Sequence, residues 1–288
     1  MIARLFSILS RLSLASLHRI GWAAGWITYG ASPTYRRRLR ANLVQAFGEP
    51  LPHGLLGAAV AGAGRQVFEL PWVWLRPRDQ VMARVAAVSG WQHVESAWQA
   101  GRGILFLTPH LGCFEIAAQY YAARRPITVL YRPPKRRGLQ VLVEHARAGG
   151  GAIELAPADM AGVRRLIRAL RAHEAAGILP DQVPARGEGA WLPFFGRPAY
   201  TMTLAARLSA MAGCVTILAW AERLDHGRGY HLHLSLPQSP LEGDTEQRAA
   251  AINRELEGLI RCCPEQYLWG YNRYKRPAGA PPAEQETQ

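Results

Sequence analysis

Three side chains lying close together in the sequence, His110, Cys113 and Glu115, could do chemistry. A neutral imidazole can take a proton from a hydroxyl near neutral pH. A carboxylate on its other nitrogen fixes the tautomer and steadies the imidazolium. Glu115 lies five residues past His110 and can fold back toward it, which suits general-base catalysis with an oriented base. The plain alternative is a capping histidine beside a solvated glutamate. Cys113 offers a third reading, a thiolate nucleophile beside His110, but its immediate neighbours are apolar and do nothing to activate a thiol.

The elements around these residues place them at a strand-to-helix junction. Ile104 to Thr108 are all apolar or β-branched and follow a Gly-Arg-Gly turn, the pattern of a strand buried on both faces. Pro109 ends it, having no N–H for a sheet ladder. Ile116, Ala117, Tyr120 and Tyr121 then recur at helical spacing. His110 is therefore expected at the carboxyl end of a parallel strand, where open α/β sheets carry their sites. Strands are also expected at Ile127–Tyr131, Ala152–Leu155, Gly177–Pro180, Val215–Ala221 and Tyr230–Leu236. Helices are expected at Leu139–Arg147, Met160–His173, Thr201–Ala212 and 244–263. The alternation predicts an α/β fold, one domain with a mostly parallel sheet flanked by helices. Residues 52–88 read as an Ala/Gly-rich helix followed by Trp72 and Trp74, which suit either a core or a membrane interface. The stretch after Asp181-Gln182 reads as a long loop rich in glycine and aromatics, a candidate hydrophobic site.

Composition narrows the partners. The formal charge is +13 and rests on arginine, since Lys135 and Lys275 are the only lysines. Such basicity calls for polyanions. No helix-turn-helix or zinc-finger spacing points to nucleic acid, whereas guanidinium forks suit phosphorylated lipid or an anionic membrane surface. The four cysteines have no C-x-x-C spacing and imply reduced thiols. His231 and His233 alternate on one strand face, but no third ligand is evident, so no metal site is expected.

Residues 1–30 are apolar with Arg4, Arg11 and His18 on one stripe. An arginine at mid-bilayer costs roughly 2.5–3.5 kcal/mol on insertion scales. A membrane-associated amphipathic helix lying in the interface is therefore preferred to a tilted single span. Tyr35-Arg-Arg-Arg-Leu-Arg40 would hold to anionic lipid. The expected layout is an anchoring helix over 1–30, the main domain over 31–276 and a disordered tail over 277–288.

The His-x4-Glu element resembles the signature of the glycerolipid and lysophospholipid acyltransferases. More narrowly, the chain resembles the lipid A biosynthesis acyltransferase family over nearly its whole length. The matching pieces run in order: Arg40-Ala-Asn-Leu43, Ala46-Phe-Gly-Glu49, Gly162-Val-Arg-Arg-Leu-Ile-Arg-Ala-Leu170, Leu179-Pro-Asp-Gln182, Leu192-Pro-Phe-Phe-Gly196, Thr201-Met-Thr203, Pro264-Glu-Gln-Tyr-Leu-Trp269 and Arg273-Tyr-Lys275. The resemblance implies an O-acyltransferase at the cytoplasmic face of the inner membrane. Its donor would be an acyl thioester on acyl carrier protein or coenzyme A, and its acceptor a hydroxyl of a phosphorylated glycolipid of the lipid A type. His110 would be the base and Glu115 its orienting partner. Arg164, with Arg132, would hold phosphate or the oxyanion, and Asp181 and Gln182 would position the acceptor. No metal or cofactor is implied. The family often has histidine after the tail tryptophan, where this chain has Gly270, so any role of that histidine does not carry over.

Overall fold

In the computed structural model, which describes residues 2–133, 140, 152–184 and 188–283, the strand that leads into His110 is buried at every position. The helices, in chain order, are α1 (Ile2–Leu9), α2 (Leu14–Ala31), α3 (Pro33–Phe47), α4 (Leu55–Leu75), α5 (Arg78–Met82), α6 (Trp91–Gln99), α7 (Glu115–Ala122), α8 (Met160–Arg171), α9 (Leu204–Ser209) and α10 (Thr245–Cys262). The strands are β1 (Val85–Ser89), β2 (Gly103–Leu107), β3 (Ile127–Tyr131), β4 (Ile153–Pro157), β5 (Ala175–Ile178), β6 (Gly189–Phe194), β7 (Arg197–Met202), β8 (Cys214–Leu224) and β9 (Gly229–Ser235). Seven strands form one sheet in the order β1-β9-β8-β2-β5-β3-β4. All its neighbours pair parallel except β8 and β9.

The period-2 geometry of β2 divides its side chains between two cores. Ile104 and Phe106 pack with α6 and α7, while Leu105 and Leu107 pack with α3, α8 and α10. A strand covered on both faces carries no polar position, which is why this run reads as continuously apolar.

Several expectations are corrected. Val85–Ser89 is an edge strand and not the end of a helix. The expected loop after Gln182 holds a hairpin, β6–β7, whose two turn residues Phe195 and Gly196 both have positive φ, 47° and 73°. That is the twist a two-residue hairpin needs. The Phe195 N–H donates to Glu257 Oε1 at 2.8 Å, and its ring is buried against Trp269, so packing holds a non-glycine residue there. In the stretch 277–283, Ala280 is buried beside Tyr200, and the Trp191 indole donates to the Pro281 carbonyl. The expected helix at Leu139–Arg147 and the basic residues Lys135, Arg136 and Arg137 lie outside the described residues.

The N-terminus also differs. The single helix expected over 1–30 is two helices, broken at Ser10–Ser13. Ser13 caps α2, and the Arg76 guanidinium donates to the carbonyls of Ser10 and Arg11, stopping α1. No helix among the described residues is long and apolar enough to cross a membrane. α2 is part of the domain. A Cβ on Gly64 would meet the Gly21 carbonyl oxygen at 1.9 Å, and one on Gly25 would meet the Val60 carbonyl at 2.3 Å. The two backbones touch directly through these glycines. The inner side of α2 buries Leu14, Leu17 and His18, while Ile20, Trp22, Trp26 and Ile27 stay exposed.

One buried ion pair ties these parts together. Glu69 on α4 accepts from Arg223 on β8 at 2.5 and 2.8 Å and from Tyr230 on β9 at 3.2 Å, with His18 of α2 at 3.4 Å. Burial alone would push Glu69 up, but Arg223 and His18 outweigh it and hold the carboxyl at about 2. Such a group binds fewer protons folded than unfolded. Its stabilisation, of order 3 kcal/mol, is therefore complete above about pH 4.5 and gone by about pH 2. Glu69→Gln is expected to lose about 3–5 kcal/mol at pH 7, because Arg223 is left buried without its counter-charge. The variant should also show a shallower loss of stability between pH 4.5 and 2 in urea unfolding. An acid limb of native steepness would refute this role.

Candidate active site

Leu107 at the end of β2 pairs with Ile178 at the end of β5, and Thr108 N–H donates to the Ile178 carbonyl at 3.0 Å. His110 and Asp181 each stand three residues beyond that pair, so the register of two neighbouring parallel strands brings them face to face. Asp181 Oδ2 accepts the His110 backbone N–H at 2.9 Å, and Oδ1 lies 2.7 Å from Nδ1 of the ring. Burial, at 1% exposure, pushes the Asp181 carboxyl up. The His110 charge and its two hydrogen bonds, with Arg273 behind, outweigh this and hold it below the usual carboxylate range. An ionised Asp181 keeps the ring proton on Nδ1 and leaves Nε2 as the basic atom. Nε2 is 3.1 Å from the Gln182 side-chain nitrogen, which donates to it.

The turn carrying His110 is stitched at each residue. Leu268 N–H donates to the His110 carbonyl, Leu111 bridges to Tyr267, Gly112 N–H donates to the Gln266 carbonyl, and Cys113 N–H donates to Ala221. Gly112 has φ +59°, and a Cβ there would lie 2.0 Å from the Ala221 oxygen, so only glycine fits. The Pro264–Trp269 motif thus holds the His110 turn in place. Other motif residues serve the same frame. Asn42 donates to the carbonyls of Trp269 and Tyr271, and buried Arg273 donates to the Tyr200 carbonyl and to Thr201 Oγ1. At Gly270, a Cβ would meet the Tyr35 ring at 2.2 Å, so the space that a histidine would need is filled.

His110 opens into a cavity of about 330 Å³ whose wall includes Leu70, Trp74, Phe114, Val129 and Met202. The Phe114 ring lies 4.9 Å from the imidazole. Of the residues expected at the site, His110, Glu115, Arg132 and Gln182 line this cavity, and Asp181 lies beneath His110. The carboxylate on Nδ1 is Asp181, the place expected for Glu115. Glu115 is buried in the first turn of α7, in the cavity wall. Arg164 is exposed on α8 and is not among the residues lining the cavity. α8 does begin three residues past β4, on the sheet edge that carries His110. Cys113 is excluded as a nucleophile: burial, then the nearby Glu69 charge, push its thiol well up, and it does not line the cavity. Trp72 is core, while Trp74 stacks on Phe6 and forms part of the cavity wall.

Reading the sequence assigned Asp181 to the acceptor and missed that it holds His110. The signal was the equal three-residue offset from two strand ends, usable only once β2 and β5 are known to be neighbours.

A family model described as bacterial lipid A biosynthesis acyltransferase matches residues 2–276. The chain belongs to that family. It is an acyltransferase. Among similar proteins, the lipid A biosynthesis lauroyltransferase of Escherichia coli K12 is 30% identical over 76% of this chain and 71% of its own length. The lipid A biosynthesis palmitoleoyltransferase of the same strain is 25% identical over 75% of this chain and 70% of its own. A phosphatidylinositol mannoside acyltransferase of Mycobacterium tuberculosis H37Rv is 25% identical, with coverages of 82% and 80%.

For a family acyltransferase with this geometry, Asp181→Asn is expected to lower kcat by about 10³-fold or more, since the amide no longer holds the correct tautomer. His110→Ala should cost about 10²–10⁴-fold, and Cys113→Ser should stay active. Steady-state rates on folded variants check this; an Asp181→Asn enzyme of near-native rate would remove Asp181 from the base.

Proposed function

We propose that this acyltransferase moves a fatty acyl chain from a thioester on acyl carrier protein or coenzyme A to a hydroxyl of a lipid A-type glycolipid precursor. The supporting observation is an imidazole whose Nδ1 rests on buried Asp181 while Nε2 faces a largely apolar cavity. The acceptor hydroxyl displaces the Gln182 amide from Nε2. Its oxygen attacks the thioester carbonyl as Nε2 takes the proton. Collapse expels the thiolate, which receives that proton from the imidazolium. Asp181 stabilises the imidazolium throughout. Gln182, released from Nε2, is close enough to donate to the developing oxyanion or to the acceptor. Glu115 lines the same cavity as His110 and would add negative charge on its wall, and Arg132 would meet acceptor phosphate there. No protein-bound metal or cofactor enters these steps.

Access from a lipid surface suits the exposed face of the N-terminal helices. Leu5, Ile8, Trp22, Trp26 and Ile27 are exposed there, and Phe6 of α1 stacks on Trp74 in the cavity wall. With exposed Arg36, Arg37 and Arg40 close by in sequence, this is the chemistry of peripheral attachment to an anionic membrane. Attachment from the cytoplasmic side of the inner membrane would place the cavity where both substrates are met. The second reading is an acceptor of the phosphatidylinositol mannoside type, on the strength of the mycobacterial relatives.

Purified protein given an acyl thioester should acylate a lipid A precursor, and mass spectrometry should show one added chain. Acylation of a phosphatidylinositol mannoside in preference would overturn the acceptor assignment.

Arg164 is the residue on which resemblance and exposure disagree. A guanidinium near the start of α8, on the His110 edge, suits phosphate at a helix N-terminus. Arg164→Ala is expected to cut acyl transfer by about a hundredfold, with Arg168→Ala and Arg171→Ala near native and Arg164→Lys a poor rescue. Equal, mild losses in all three alanine variants would make Arg164 one arginine among several on a solvated face.

A further inference from the structure

β8 and β9 pair so that Glu222 stands opposite His231 and Trp220 opposite His233, while β1 places Ser89 opposite His233 on the other side. Two-residue spacing puts both histidines on one face of β9, and the pairing puts Glu222 beside them. His233 Nε2 lies 3.0 Å from Glu222 Oε2, and its ring stacks on Trp220 at 4.4 Å and 12°. The two imidazoles are 3.9 Å apart, and His231 Nε2 is 2.8 Å from Ser89 Oγ. One donor atom from each of the three residues lies within 4.8 Å of the others.

We propose that Glu222, His231 and His233 form a binding site for a divalent first-row transition metal, zinc foremost, separate from the His110 cavity. Two imidazoles and one carboxylate are a common nitrogen–oxygen donor set for zinc. With metal–ligand distances of 2.0–2.2 Å, neighbouring ligands in a tetrahedral site lie about 3.4 Å apart. The Glu222–His233 pair is already near that spacing, and small side-chain rotations bring in His231. The rings are also held in place, His233 by the Trp220 face and His231 by the Ser89 hydroxyl, as outer-shell groups hold metal ligands. The three ligands are part-exposed, which leaves room for water in a fourth position. From the sequence alone the pair lacked a third ligand; that ligand lies nine residues before His231, across the β8–β9 turn.

The test uses untagged full-length protein, stripped with a chelator. Zn²⁺ titrated calorimetrically should bind one equivalent at about 10 µM or tighter and raise Tm. His231→Ala and His233→Ala should each weaken binding at least tenfold and abolish the Tm rise. Co²⁺ substitution guards against variants that fail to fold and tests the nearby Cys263, which senses the Glu222 charge. The native Co²⁺ spectrum should show visible d–d bands without thiolate charge transfer, unchanged in Cys263→Ser. No saturable binding, native affinity retained in either histidine variant, or a thiolate band would each overturn the site.

Discussion

Two oxygens of one buried carboxylate carry the most specific demand in this molecule. Asp181 must meet the backbone N–H and the ring Nδ1 of His110 at once. That requires the ends of β2 and β5 to be level and adjacent. A slip of one residue would turn every buried side chain of β2 to the opposite core and carry His110 away from Asp181. Register, core and the His110–Asp181 pair are therefore one constraint. The continuous apolar run of β2, which leaves no solvent face, is what makes the register stiff.

The remaining architecture protects that arrangement from behind. The chain returns after α10 to place residues 264–269 along the His110 turn, so a segment far away in sequence supplies its hydrogen bonds. Glu69, Arg223, Tyr230 and His18 fill the space beneath with a buried polar cluster, and Cys113 faces it instead of the cavity. Buried pairs of this kind contribute little net stability over apolar packing but are costly to break. Here the pair links α2 and α4 to β8, the strand beside β2.

Much of this was legible in the sequence, and the failures have physical causes. The parallel strands announce themselves because burial on both faces forces uninterrupted apolar runs, and Ile127–Tyr131 is read without error. Val85–Ser89 has alanines at its centre and lies at a sheet edge, where little burial imposes a pattern. The β6–β7 turn escaped notice because Phe195 adopts a conformation normally left to glycine, held by Glu257 and Trp269, which are distant in sequence. His110 was found through its strand-to-helix junction. The identity of its partner was not, because proximity in sequence favoured Glu115, while strand order, invisible in one chain, delivers Asp181. Arg164 had only resemblance behind it, and its exposure leaves its role to experiment.

The glycine contact between α2 and α4 has a mechanical meaning. Where backbones touch with no side chains between them, there is little compliance, because sliding or tilting meets hard atoms at once. The tryptophan-bearing face of α2 and the cavity wall on α4 therefore move as one body. In the function proposed above, the depth to which Trp22 and Trp26 sink into lipid would set the height and tilt of the cavity mouth over the headgroups. The seam then acts as a gauge, and which hydroxyl of a bulky glycolipid reaches His110 becomes partly a question of how the whole protein floats.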